Sequence, residues 1–137
     1  MSTLSLVNIE SKAANTPPVM KDSNGTEIGQ SARAWVNFDG TGSFTINDSF
    51  NVASITDQTA GEYDIVMTNA MSNANYAVAA LTSIATNKFR GIFERTDGTT
   101  RSTTTFRITA APHSATQSGV NSGEADNELI SVIVFGS

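Results

Sequence analysis

The run ELISVIVF at residues 128–135 constrains the fold more than any other stretch of the chain. Successive side chains of an extended strand point to opposite faces. Leu129, Ile133 and Phe135 therefore share one side, and Ile130, Val132 and Val134 the other. Both sides are apolar. Such a strand belongs inside a sheet whose outer surface is itself covered. No stretch has the 3.6-residue apolar period of a covering helix, so the expected cover is another copy of the chain.

The other runs are short, alternate in polarity and are punctuated by Gly, Asp and Asn. Around Trp35, the side chains of Ala34, Val36 and Phe38 point one way and those of Arg33, Trp35 and Asn37 the other. Asp39-Gly40-Thr41-Gly42 is a hairpin signal leading to a strand at 43–46. Strands follow at 51–56 and 63–68 about the DQTAG turn, at 75–82 and 89–96, and, after Asp97-Gly98, at 101–111. Hydrophobic residues make up 39% and charged residues only 15%. The balance is filled by Thr, Ser, Asn and Ala, which suits sheet better than helix.

A chain of 137 residues is one domain with a core of its own. The expected fold is all-β, a β-sandwich of about eight strands over 31–137, with a jelly roll among the orders such strands can take. Residues 1–30 read as an extended N-terminal arm. They hold the adjacent Pro17 and Pro18, the Asn24-Gly25 turn signal and no sustained period. Leu4, Leu6, Val7 and Ile9 are more apolar than a solvated tail needs, and an arm lying along a neighbour would use them.

Trp35 falls on the polar side of its strand. Aromatic residues are enriched at contacts between chains, so Trp35 is expected in a subunit interface together with Ile130, Val132 and Val134. An indole half-covering a sheet edge in a monomer is the plainer alternative.

Catalytic constellations are sparse. There is no cysteine, which removes disulfides and thiolate chemistry. The only histidine, His113, opens a Ser-, Gly- and Asn-rich loop over 113–127 and has no G-x-S-x-G elbow to serve. Metal sites built on His or Cys lack ligands. Glu62 with Asp64, and Glu124 with Asp126 and Glu128, can each gather on one side of an extended chain. They lack the glycine-punctuated spacing of a calcium loop and read as a solvated acidic rim. Gly40 and Gly42 lead into a strand and not the helix a phosphate cradle needs. The sequons at Asn24 and Asn47 read as turns. The expectation is a protein that is not an enzyme and that takes no cofactor and no metal.

A net charge of −5 argues against nucleic acid as a partner. No run approaches the roughly 20 apolar residues of a membrane-spanning helix, and the N-terminus lacks a basic leader, so synthesis in the cytoplasm and no membrane contact are expected. Positive charge concentrates in Lys88, Arg90, Arg95, Arg101 and Arg107, against Glu94 and Asp97. Such a stripe meets an acidic partner, or is a solvated strand face whose charges deter edge pairing.

Residues 32–78 resemble a module of tailed-bacteriophage virion proteins, especially those of marine and cyanobacterial phages. The resemblance is carried by Ala34-Trp35-Val36-Asn37-Phe38, Gly40, Gly42, Ser54-Ile55-Thr56-Asp57, Gly61-Glu62-Tyr63 and Ala74-Asn75-Tyr76, and covers about a third of the chain. It implies a particle component exposed on the virion, often a tail fibre and usually trimeric, with no catalytic residues. Many relatives attach the module to a long shaft, but this chain has neither a heptad nor a collagen-like repeat. The expectation is thus a homotrimeric capsid decoration, or cement, protein that bridges subunits of the major capsid protein. Leu4, Leu6, Val7, Ile9, Arg90, Arg95, Arg101 and Arg107 would face the capsid or another partner. The alternative is a tail-fibre or tail-tip module binding host-surface polysaccharide through the 113–127 loop.

Overall fold

A computed structural model describes residues 18–83, 90–96, 101–112 and 123–136. Alternation sets the architecture first in the strand around Trp35, where Ala34, Val36 and Phe38 are buried while Trp35 and Asn37 stay partly exposed. The described residues form ten strands and no helix. In chain order they are β1 (Met20–Lys21), β2 (Glu27–Gly29), β3 (Ala34–Asp39), β4 (Thr45–Phe50), β5 (Val52–Thr59), β6 (Glu62–Met67), β7 (Ala77–Thr82), β8 (Arg90–Glu94), β9 (Thr105–Pro112) and β10 (Ile130–Phe135).

Eight of them make two antiparallel sheets, in the orders β4-β3-β10-β7 and β5-β6-β9-β8. The inner faces pack into one core. Val36, Phe38, Ile130, Val132 and Val134 come from the first sheet, and Tyr63, Ile65, Phe106 and Ile108 from the second. Phe38 meets Tyr63 edge-on with ring centroids 5.0 Å apart, and Tyr76 meets Phe106 at 5.9 Å. Each such side chain contributes about 1.5–3 kcal/mol by leaving water. The molecule is an all-β sandwich. Its order keeps the partners β3 and β4, β5 and β6, and β8 and β9 within one sheet, where a jelly roll sends most successive strands to opposite sheets.

The expectation that Ile130, Val132 and Val134 face another subunit is corrected by this arrangement. Their exposures are 0%, 3% and 1%, all inside the sandwich. Because β10 pairs with β3 on one side and β7 on the other, it is an inner strand, and one of its two apolar faces must line the core. That face is Ile130-Val132-Val134; Ile133 and Phe135 lie outward with Trp35.

Asn51 carries the chain from one sheet to the other. It sits at φ 55° between β4 and β5, a left-handed conformation that Asn tolerates better than most residues. Its Nδ2 donates to the Arg33 carbonyl at 2.8 Å and its Oδ1 accepts from the Asn69 N–H at 2.8 Å. The strands expected at 43–46 and 51–56 accordingly become Thr45–Phe50 and Val52–Thr59. Asn47-Asp48-Ser49, expected as a turn, lies within β4.

Two glycines allow close approach between segments. A Cβ at Gly40 would collide with the Tyr63 hydroxyl, and one at Gly61, whose φ is +78°, would meet the Ala125 nitrogen at 2.6 Å.

Over its described part the expected N-terminal arm doubles back on itself as the β1–β2 hairpin. The Asp22 carboxylate accepts the Asn24 and Thr26 N–H groups at 2.9 and 2.8 Å and so builds the turn. Leu4, Leu6, Val7 and Ile9 lie outside the described residues, as do Lys88, Asp97-Gly98 and His113.

Candidate functional site

The outer surface of the β4-β3-β10-β7 sheet is the candidate site. Strand register assembles it: Phe50 of β4 stands opposite Trp35 of β3, Trp35 opposite Ile133 of β10, and Ile133 opposite Ala79 of β7. This is a cross-strand row of apolar side chains on the face away from the core. Phe50 is 54% exposed and Leu81, at the β7 edge, 77%. Beside the row, Asn47 Nδ2 donates to Asn37 Oδ1 at 2.9 Å, and Asn37 Nδ2 donates to Ser131 Oγ at 2.7 Å. The amide and hydroxyl groups next to the indole thus satisfy one another across three strands.

Between β3, β10 and β7 the surface dips into an open groove of about 440 Å³. Trp35, Ile133, Ala79 and Leu81 are among its lining, with Asn37 and Ser131 as polar members, and no lining residue carries a charge. Such a surface can bind by excluding water. The one hydroxyl in its lining, Ser131 Oγ, accepts from Asn37 Nδ2.

The basic stripe has a different fate. Arg107 grips Asp64 side-on through Nε and Nη2, at 2.6 and 2.8 Å, and its Nη1 approaches Glu62 at 3.9 Å. Arg95 pairs with the buried Glu62 and with Glu124, the latter at 2.7 Å. Arg101 makes a two-point pair with Glu94, donates to the Tyr76 carbonyl and lies 4.5 Å from the Tyr76 ring centroid. Arg90 donates to the Gly123 carbonyl at 2.5 Å. Arg90, Arg95, Arg101 and Arg107, expected to face the capsid or another partner, each have an acceptor within their own chain.

Of the carboxylates read as a solvated rim, Glu124 and Glu128 are exposed, and the others are tied into the chain. Glu62, Asp64 and Glu124 belong to the Arg95–Arg107 network. Asp126 accepts both the Gly61 N–H at 2.7 Å and the Tyr63 hydroxyl at 2.8 Å. Burial, and then that bond to Asp126, push the Tyr63 phenol well above its ordinary pKa. The bond from Arg107 is the first cause that holds the Asp64 carboxyl below the usual range. Among the described residues no group of three His, Cys, Asp or Glu side chains is placed to hold a metal ion.

Of the residues singled out from the sequence, the structure leaves Trp35 on an open face, moves Ile130, Val132 and Val134 into the core, and pairs the arginines internally. Sequence reasoning passed over Phe50, Ala79 and Leu81 as members of the face. Alternation marks them as outward only once their register to Trp35 and Ile133 is known. Comparison with known proteins adds no relative, since no family model, no curated protein and no solved structure matches the chain.

Proposed function

We propose that this chain is a structural protein of a phage particle, a homotrimeric decoration or cement protein that binds the capsid surface and is not an enzyme. One observation carries the reading: an uncharged apolar row, Phe50-Trp35-Ile133-Ala79, lies on an outer sheet face while the charged side chains of the other sheet pair among themselves. An apolar row facing outward has its natural partner in another protein surface. Aromatic anchors such as Trp35 are where contact energy concentrates. The sequence resemblance of residues 32–78 to phage virion modules supports the particle as the setting.

The mechanism is mechanical. Subunits associate through the Trp35 face, and the trimer bridges neighbouring capsid subunits. Each joint covered adds binding free energy to the closed shell and so opposes its opening. Stable joints of this kind bury about 1,000 Å² or more.

Particle labelling and head stability test the reading together. Antibody against the chain should decorate heads at many positions, and heads assembled without the protein should burst at lower temperature than complete ones. Label confined to the tail, or heads of unchanged stability, overturns the proposal.

A further inference from the structure

Four strands end the two sheets of the sandwich, and three of them are guarded. An edge strand exposes unpaired N–H and C=O groups to other chains, and charges and bulges are the usual protection. Strand β4 carries Asp48 and a break in register opposite Asn37-Phe38. Strand β5 carries Asp57 and two such breaks. Strand β8 begins at Arg90 and ends at Glu94. Strand β7, AVAALT, has no charge, no proline and no glycine, and it pairs with β10 in unbroken register. Among the described residues β10 is its only ladder partner; β8 lies beside it in the other sheet without a ladder.

The ladder fixes which backbone groups face the open side. The Ser83 N–H donates to the Leu129 carbonyl at 2.9 Å. Alternate residues of an antiparallel strand turn both backbone groups to the same neighbour. Ala77, Ala79 and Leu81 therefore face β10 as Ser83 does, and Val78, Ala80 and Thr82 direct their N–H and C=O groups to the free edge. Val78 and Ala80 pack against the core yet stay partly exposed, as an open edge requires.

We propose that β7 pairs antiparallel with β7 of a second copy about a two-fold axis at Ala80. Register places the axis. With Ala80 opposite Ala80, Val78 stands opposite Thr82, so all the free-edge residues of both strands find partners; a shift to either side carries one of them past the end of the strand. Charge selects the occupant. Copies of net charge −5 repel one another over most of their surfaces, and a two-fold contact through β7 is uncharged on both sides because both sides are the same strand. The outward side chains also fit. Leu81, 77% exposed, comes to lie opposite the small Ala79 of the second copy, and the row Phe50-Trp35-Ile133-Ala79 continues onto that copy's Leu81. A two-fold contact cannot close a ring of three. The edge contact therefore goes beyond the Trp35-face reading and joins subunits of separate trimers.

Two kinds of full-length variant test it. Ala80→Pro removes an N–H that points away from β10 and so leaves the internal ladder whole. The wild type should gain mass in sedimentation as concentration rises, and Ala80→Pro should lose that step with its melting transition kept. The chain has no cysteine, so cysteine pairs report the register. Mixed and oxidised, Ala79→Cys and Leu81→Cys should give a disulfide-linked dimer that neither forms alone. These variants keep every backbone group and decide the case if Ala80→Pro fails to fold. A wild type with no such step, a folded Ala80→Pro that associates as the wild type does, or the absence of the Ala79→Cys to Leu81→Cys link overturns the proposal.

Discussion

The two sheets of the sandwich treat their outer faces differently. On β5-β6-β9-β8, the cross-strand neighbours Asp64 and Arg107 form a two-point ion pair, flanked by Gln58, Glu62 and Arg95. Countercharge satisfies these side chains, while at the β8 edge of the same face Phe93 stays 45% exposed. On β4-β3-β10-β7, the cross-strand neighbours are Phe50, Trp35, Ile133 and Ala79, which water does not satisfy. Both sheets give the same kind of residue to the core, so packing within the chain does not explain the contrast. The proposed subunit contact on the first sheet accounts for the contrast.

Strand β10 allows that contrast to be broken most sharply, because it carries isoleucine on both faces. Ile130→Ala should destabilise the fold by about 2–5 kcal/mol, since it empties a fully buried site. Ile133→Ala should cost the isolated chain less than about 1 kcal/mol while loosening its self-association. Denaturant melts and sedimentation of both variants read the two effects apart, and equal losses of fold stability would erase the distinction between the faces.

Trp35→Lys places a charge in the middle of the apolar row. Self-association should weaken by about 30-fold or more, the loss of one anchor residue at about 2 kcal/mol, with the melting transition of the dissociated chain little changed. Unchanged assembly would remove the indole from the contact.

For the charged face, Asp64→Asn should cost about 1–2 kcal/mol, since Arg107 loses a two-point charged partner but keeps Glu62 nearby. The folded carboxyl has a lowered pKa, caused first by the Arg107 bond. Its stabilisation is therefore complete above the unfolded value of about 4 and is lost as pH falls through the folded value. Wild type should lose this increment in acid melts below about pH 4, and Asp64→Asn should not. The smallest effect belongs to Leu81→Ser. At 77% exposure, its fold stability should stay within about 0.5 kcal/mol of wild type, while solubility at high concentration rises.

Much of this comparison was legible in the sequence. Alternation around Trp35 and the Asp-Gly and Gly-rich turns announced an all-β chain with the indole turned away from the core. Three things were not legible. The break between β4 and β5 depends on Asn51 taking a left-handed conformation held by Arg33 and Asn69, a contact spanning 18 residues on either side. The pairing of the arginines depends on Asp64 and Arg107 meeting across 43 residues. The N-terminal hairpin announced only its turn, at Asn24-Gly25, because strands of two and three residues carry no period.

By itself the sequence determined the alternation of the core strands around Trp35 and in 128–135, and so which of their side chains share a face, because the two-residue period of an extended backbone is a local property. It also determined that β10 would be apolar on both sides. Only the tertiary structure decided which of those sides became core. That choice was made by β3 and β7 closing around β10, with Asn37 reaching Ser131 over 94 residues, and no local rule encodes a register formed at that distance.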